Sequence, residues 1–225
     1  MIKYRIAKLS DVNQIASIHY KVRDIYSEGF FSQMDIFFLR HYYRIILQDS
    51  NEIIICAENE SGKILGFCSG TLNVSSQFVN IRKHKFSFVL AIIPSFIKRP
   101  SLIKAAWNRF SSIKTNDGHF VNQGGARSEY WAWDQQCRDS EASVELLEKL
   151  YSIMYILGAK EIFFEVDIVN KKIVRFHEIN GATLINKVVL DDGRERLLMK
   201  YDLDKKYNKN NYGINYIYQR FCRSI

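Results

Sequence analysis

The chain has 225 residues, of which 47% are hydrophobic and 25% charged, and it contains two prolines and eleven glycines. This composition is typical of one folded domain, and it excludes a disordered chain and a proline- or glycine-rich linker. The net charge is +8, from 32 basic and 24 acidic residues.

The positive charge is concentrated in one region. No aspartate or glutamate occurs from Ser61 to Asn116, whereas nine lysines and arginines do. Such a region favours a polyanionic ligand, which could be a phosphorylated cofactor, a nucleotide-linked substrate, a membrane surface or nucleic acid; a solvated basic surface is the alternative. We do not expect nucleic-acid binding, because no recognised nucleic-acid-binding motif accompanies the charge.

The cysteines and the N-terminus limit the class of protein further. Cys56, Cys68, Cys137 and Cys222 form no Cys-x-x-Cys pair, and none is spaced with a histidine as in a zinc site. We therefore expect free thiols and no metal. The first ten residues contain no apolar signal core, which predicts a cytoplasmic location.

The first third of the chain alternates between helical and extended patterns. Ser10 or Asp11 is expected to cap the first helix. The predicted elements are a strand at 3–7, helices at 11–26 and 34–48, and a hairpin with strands at 52–58 and 64–72.

Residues 76–118 predict an inserted basic helical segment. Its apolar run at 86–93 is far shorter than the ~20 residues that cross a bilayer, and Pro94 is expected to interrupt it. An amphipathic helix is predicted from residue 101 to 113. The insert could act as a lid, read a phosphate on a substrate, lie on an anionic membrane through residues 82–114, or simply pack on the domain.

The second half of the chain alternates strands and helices. Because consecutive strands joined by a crossover helix run parallel, the strands at 129–134 and 162–166 are predicted to be parallel. The full set is a strand at 129–134, a helix at 140–156, a strand at 162–166, a helix at 171–179, strands near 183–190 and 197–201, and a tail from 205 to 225.

The most specific motif lies between residues 157 and 182. A helix ends at Gly158-Ala159 and a strand follows; the residues after the strand, at set spacings, are Asn170, Phe176, Glu178 and Gly181. Together with the openings at 5–11 and 65–70, this order resembles the GNAT acetyltransferase superfamily over about residues 1–80 and 126–202. The resemblance implies an α/β fold with a mixed central sheet, splayed parallel strands and flanking helices, as one domain over residues 1–204.

In that family, acetyl-CoA is the cosubstrate and a small-molecule amine is the acceptor. The resemblance implies that pantetheine lies between the splayed strands and that the pyrophosphate rests on the start of the next helix. Inserts of this kind occur in family members that modify amino sugars, so a nucleotide-linked amino sugar is an acceptor hypothesis. A homodimer is left open.

The resemblance also assigns roles to individual residues. Glu129 is the first candidate for the general base and Asp134 the second. His177 stands where many relatives carry the tyrosine that protonates the thiolate; it is either that acid or an ordinary helix-surface histidine. The residues expected to bind the cofactor are Trp131, Trp133, Arg138, Ser140, Ala142, Ser143, Asn170 and Phe176.

The expected pyrophosphate loop departs from the family pattern. Glu141 and Ser143 stand where the family has small glycines, and Asp139 adds a second carboxylate. Alone, these residues describe a well-capped helix N-terminus, in which a carboxylate occupies the anion position itself. This departure motivates an alternative function, that of a non-catalytic binding or regulatory protein with the GNAT fold.

Overall fold

The computed structural model describes residues 2–26, 31–104, 107, 125–137, 139–190 and 193–207. Three expectations fall partly or wholly outside these residues. They concern Arg138, the end of the insert at 108–118, and the tail from 208 onward.

The described residues form one mixed sheet flanked by helices. The strands are β1 (Lys3–Ile6), β2 (Glu52–Glu58), β3 (Ile64–Thr71), β4 (Ala126–Trp133), β5 (Glu161–Asp167), β6 (Thr183–Val189) and β7 (Glu195–Asp202). Their order across the sheet is β1-β2-β3-β4-β5-β7-β6. All neighbouring pairs are antiparallel except β4 and β5, which are parallel as predicted.

Helices cover both faces of the sheet. They are α1 (Val12–Lys21), α2 (Ile36–Ile46), α3 (Val74–Lys83), α4 (Lys85–Lys98), α5 (Ser140–Ile156), α6 (Lys171–Ile179) and α7 (Leu203–Tyr207), with short 3-10 helices at Leu9–Asp11, Val22–Asp24 and Phe31–Gln33. We call the side that carries α1, α2 and α4 the α1 face, and the side that carries α5 and α6 the α5 face.

Strand β2 is apolar at every position between its two terminal glutamates, because both of its faces are covered. Ile54 and Cys56 point to the core of the α1 face, whereas Ile53, Ile55 and Ala57 point to the core of the α5 face. Successive side chains of a strand alternate between faces, so a strand covered on both sides needs apolar residues at every position.

The parallel strands β4 and β5 separate soon after they meet. They pair only at Ala126–Ile162 and Arg127–Phe163. Beyond these two pairs β4 stays with β3 up to Trp133, while β5 stays with β7 up to Asp167. A gap therefore opens between the two strands toward their C-terminal ends, which is the splay that the family resemblance implied.

A β-bulge lies in β4 beside this gap. Ser69 of β3 pairs with Tyr130 and Gly70 pairs with Ser128, so Glu129 is the extra residue. Because an extra residue breaks the alternation, Glu129 and Tyr130 both lie on the α1 face, where Glu129 bonds Gln77 and Tyr130 packs against the core.

The insert packs on the domain through α3 and α4. On α4, Phe88 and Ile92 join the core of the α1 face, and the Ser95 hydroxyl accepts a 2.8 Å hydrogen bond from the Asp35 amide. The predicted interruption at Pro94 is wrong, since α4 continues to Lys98. The carbonyl that loses its partner belongs to exposed Leu90, where water can solvate it, and packing on α2 offsets the remaining cost.

Two local expectations also need correction. Asp11 does not cap α1 with its side chain; its carboxylate instead pairs with Arg5 at 2.6 Å and accepts from the Lys8 amide at 2.7 Å. Residues 205–207, expected to begin the tail, complete α7, where Lys206 pairs with Glu148 at 2.9 Å.

The close approach of β3 and β4 at the bulge generates a stability prediction. A Cβ added at Gly70 would lie 2.7 Å from the Arg127 carbonyl oxygen and 3.0 Å from Met154 Sδ. We expect Gly70→Ala to lower the free energy of unfolding by about 1–3 kcal/mol, measured by urea denaturation.

The neighbouring substitution Ser69→Ala is the control. The buried Ser69 hydroxyl has no hydrogen-bond partner within the described part of the chain, so its removal should leave stability unchanged or slightly raised. Equal losses in both variants would contradict the role given to the close approach.

Candidate functional site

A cavity of about 900 Å³ connects the α1 face to the gap between β4 and β5. Its α1-face wall includes His19, Phe31 and Tyr42, and Glu129 lies on its floor. Its far end reaches Trp131 of β4 and His177 of α6. The cavity therefore joins the first base candidate to the strand gap.

The Glu129 carboxylate is held by the insert and by α2. Gln77 of α3 donates from Nε2 to Glu129 Oε1 at 2.7 Å, and the Tyr42 hydroxyl donates to Glu129 Oε2 at 3.3 Å. The same Gln77 nitrogen donates to Glu52 Oε2 at 3.2 Å. Two carboxylates thus share one amide group, which has a hydrogen for each.

The Glu52–Glu129 pair carries less than two negative charges at neutral pH. Burial, and then the nearby Glu129 carboxylate, raise the pKa of Glu52 well above its ordinary value. Neighbouring carboxylates in a desolvated site do not both ionise at low cost. A proton on Glu52 is therefore favoured at neutral pH.

Aromatic rings surround the entrance to Glu129. The His19 ring lies 4.5 Å from the Tyr130 ring, and the Phe31 ring lies 4.9 Å from the Tyr42 ring, centroid to centroid. Burial lowers the pKa of His19 to about 3, so its imidazole is neutral and bonds the Tyr43 hydroxyl at 2.7 Å. A carboxylate among aromatic rings attracts a cation such as an ammonium group.

A charged network on β5 lines the cavity beyond Glu129 and was missed from the sequence. Glu165 lies between Arg127, at 2.9 Å, and Arg196, at 3.1 Å. Asp167 accepts from the Tyr26 hydroxyl and lies 3.5 Å from Arg194. The available signal was the alternation of Glu165 and Asp167 with buried Phe164 and Val166, which places both acids on the α1 face.

The start of α5 has the structure of a capped helix. The Asp139 carboxylate accepts from the Ala142 amide at 2.9 Å, and the Ser143 amide donates to the Asp139 carbonyl at 3.0 Å. Ser140 and Glu141 are exposed at this end. The carboxylate that caps the start of α5 is therefore that of Asp139 and not that of Glu141.

The two tryptophans of β4 contact this end of α5. Trp131 Nε1 donates to the carbonyl and hydroxyl oxygens of Ser143, each at 3.0 Å, and its ring lies 5.5 Å from Phe176. Trp133 Nε1 donates to the Cys137 carbonyl, in the turn before α5. Trp131 thus forms a wall of the strand gap, and Trp133 fixes the turn that precedes the helix.

The surroundings of His177 argue against its predicted role as the acid that protonates the thiolate. Its side chain is buried, with Nδ1 at 3.0 Å from the Tyr201 hydroxyl and the ring 4.3 Å from Phe164. Burial, and then the charge of Lys206, lower the pKa of His177 to about 3. The protonated imidazole that the acid role requires is therefore absent at neutral pH.

Two other candidates have identifiable structural contacts. Asn170 Oδ1 accepts from the Ile173 amide at 3.4 Å and caps α6. Asp134, the second base candidate, is buried beside Lys63 at 3.2 Å and Lys21 at 3.7 Å, and it accepts from the Gln136 amide. These contacts lower its pKa against the effect of burial, so Asp134 is a weak base and its catalytic assignment is corrected to a structural one.

Two further findings concern the described residues alone. They contain no group of three or more His, Cys, Asp or Glu side chains that could hold a metal ion. None of their helices combines the length and apolar character needed to span a membrane.

The two buried histidines, His19 and His177, make stability depend on pH. The pKa of each is about 3 in the folded protein and near 6.5 in an unfolded chain, so below pH 6.5 the unfolded chain binds protons that the folded protein does not. Stability is therefore lost as the pH falls from 6.5 toward 3, by about 1.4 kcal/mol per pH unit for each histidine.

We expect His177→Gln to remove one such contribution from the slope of unfolding free energy against pH between about pH 6.5 and about pH 5, measured by urea denaturation. Replacing exposed His84 by Gln is the control, and its slope should match that of the unchanged protein. Identical slopes for both variants would contradict the buried neutral state of His177.

The comparisons with known proteins give a structural match without a sequence match. No family model and no curated protein matches the chain. A chimera of the spermidine N-acetyltransferase SpeG from Vibrio cholerae and hSSAT is 13% identical, with a TM-score of 0.58, over 92% of this chain and 99% of that one.

Two other solved structures agree with it. An N-acetyltransferase from Staphylococcus aureus Mu50 is 16% identical, with a TM-score of 0.56, over 90% of this chain and 99% of that one. A GNAT-family acetyltransferase from Streptococcus pneumoniae is 10% identical, with a TM-score of 0.55, over 89% and 98%. The chain has the fold of the GNAT N-acetyltransferases.

Proposed function

We propose that this protein is an N-acetyltransferase that moves the acetyl group of acetyl-CoA to a primary amine of a small molecule. The observation that carries the proposal is the gap between β4 and β5, which is continuous with the cavity that holds Glu129. The structural neighbours are N-acetyltransferases, which supports the same reaction for this chain.

The gap suits the pantetheine arm of acetyl-CoA. Beyond Arg127 and Phe163 the facing edges of β4 and β5 no longer pair with each other, so their backbone groups are available to an extended amide-containing chain. Trp131 and Phe176 supply an apolar wall beside it. In this proposal the pyrophosphate lies at the start of α5, against Ser140, Ala142 and Ser143. Arg138, which precedes α5 in the sequence, stays the cation that the sequence predicts.

Glu129 supplies the base in this proposal. The carboxylate draws the substrate ammonium into the aromatic entrance and takes one proton from it, so that a neutral amine attacks the thioester carbonyl carbon. As the carbon–sulfur bond breaks, the nitrogen loses its second proton and the CoA thiolate takes up a proton. His177 is neutral and packs against Phe164 and Tyr201, and no proton transfer is assigned to it.

The base assignment predicts a kinetic effect. We expect Glu129→Gln to lower kcat by about 100-fold or more, because the amide keeps the size of the side chain but cannot accept the proton. The KM for acetyl-CoA should change by less than about twofold, since Glu129 lies on the acceptor side of the gap. The measurement is thiol release from acetyl-CoA with a panel of amines.

Glu161→Gln is the matched control for this test. Glu161 is exposed at the start of β5 and pairs with Lys200 at 2.6 Å, a kind of surface pair that contributes little. Unchanged turnover in Glu129→Gln would refute the role of Glu129 as base.

The Asp139 cap predicts an effect on cofactor affinity. Asp139→Ser keeps an oxygen that can accept from the Ala142 amide but removes a negative charge beside the phosphate position. We expect the Kd for acetyl-CoA to fall by about two- to fivefold, measured by calorimetry.

The same substitution at Asp202 controls for the loss of a capping carboxylate. Asp202 Oδ1 accepts from the Lys205 amide at the start of α7. Asp202→Ser should leave the Kd for acetyl-CoA unchanged. An equal change in both variants, or weaker binding by Asp139→Ser, would contradict placement of the pyrophosphate at α5.

The alternative function is a non-catalytic binding or regulatory protein with the same fold. The Asp139 carboxylate on the Ala142 amide favours it, because that side chain occupies a donor that a phosphate would use. Thermal melting separates the two functions, since a ligand at 100 times its Kd adds ~2.7 kcal/mol to stability. Absence of a shift at millimolar acetyl-CoA, with no thiol release, would select the alternative.

The acceptor hypothesis from the sequence, a nucleotide-linked amino sugar, stays a prediction. The amine panel for the thiol-release assay should therefore include amino-sugar nucleotides beside free amino sugars and polyamines. In each case Glu129 would bind the ammonium group, and selectivity would come from the cavity beyond it.

A further inference from the structure

Helix α4 is apolar on two opposite sides. Its inner side packs Phe88 and Ile92 into the core of the α1 face. Its other side carries four large apolar residues, which we call the outer stripe: Phe86, 75% exposed, Leu90, 69%, Ile93, 44%, and Ile97, 76%. Their spacing of three or four residues places them on one line along the helix.

A helix that is apolar all round is normally buried, and a continuous exposed apolar patch marks an interaction site. The outer stripe runs along the 14 residues of α4, a length of about 21 Å. The helical residues that follow add two more exposed apolar side chains, Ile103 at 54% and Trp107 at 74%. Tryptophan is enriched where apolar and aqueous environments meet.

Basic residues flank the outer stripe. Lys85 opens α4 and Lys98 closes it; Lys98 pairs with Asp35 but remains largely exposed. The residues just before and just after α4 in the sequence add Arg82, Lys83, Arg99 and Lys104. No acidic residue occurs between residues 61 and 116, so the chain supplies no local counter-charge from this segment.

The distribution of charge argues against another part of this protein, or a second copy of it, as the partner that covers the outer stripe. A second copy of α4 would bring lysines and arginines against one another. By composition, residues 208–225 carry Lys209, Arg220 and Arg223 with no acid, and residues 108–124 carry two basic residues and one acid. Each of these segments repeats the positive sign of α4, so an anionic partner is the complementary one.

We propose that α4 docks this protein on the surface of an anionic lipid bilayer. The outer stripe enters the boundary between headgroups and acyl chains, while Lys85, Lys98 and the neighbouring basic residues contact the lipid phosphates. The inner side of the same helix contributes Phe88 and Ile92 to the wall of the cavity. Docking therefore brings the cavity close to the bilayer.

Co-sedimentation of the full chain with vesicles tests the proposal. We expect binding to vesicles of phosphatidylcholine with phosphatidylglycerol, a reduction of that binding at high salt, and little binding to phosphatidylcholine alone. Equal binding to both kinds of vesicle, or binding to neither, would overturn the proposal.

Two substitutions on the outer stripe separate lipid docking from the other occupants. Leu90→Glu and Ile97→Glu should each weaken binding to anionic vesicles by about tenfold or more, since both side chains are exposed and the fold does not depend on them. Ile156→Glu, at a position 77% exposed on α5, is the matched control and should bind as the unchanged protein does.

The oligomeric state, measured by light scattering, completes the test. An unchanged state in Leu90→Glu, together with lost vesicle binding, supports docking on lipid. A dimer that Leu90→Glu dissociates, in a protein that does not bind vesicles, would show that a second copy covers the outer stripe and would overturn the proposal.

Discussion

The brief pairing of β4 with β5 is the constraint on which the rest of the site depends. Two parallel strands that stayed together would satisfy their backbone groups against each other and leave no slot. Here each strand is held on its outer side, β4 by β3 and β5 by β7, so both can separate after Arg127 and Phe163 without losing the sheet. The separation leaves two strand edges that face each other and need polar partners.

Much of the scaffold could be predicted from the sequence, because its signals are local. The helices predicted at 140–156 and 171–179 have the bounds that the structure gives to α5 and α6. The bulge in β4 could not be predicted, since it depends on the register of β4 against β3. Helix α4 was predicted to be interrupted because a proline normally ends a helix, whereas here the helix continues past Pro94.

The sequence could predict which residue types stand at the site, but it could not predict the contacts that set their chemistry. Glu129 lines the cavity, and its role as the base stays a prediction. Its contacts with Gln77 and Tyr42 join residues that are distant in the sequence, so no sequence pattern indicated them. The neutral state of His177 depends on its burial against Phe164 of β5 and Tyr201 of β7, which are distant in the sequence or belong to other elements. Asp139 and Glu141 were both candidates for the capped amide, and only the backbone conformation before α5 distinguishes them.

The amide of Gln77 joins the insert to the two carboxylates beneath it. A redesigned chain with the insert removed would leave Glu52 and Glu129 adjacent without the donor that both of them share. Such a chain would also need, in place of Glu52, a residue that buries no oxygen without a hydrogen-bond donor. The presence of the insert and the identity of the residue at position 52 of β2 are thus linked, although Gln77 and Glu52 are 25 positions apart in the sequence.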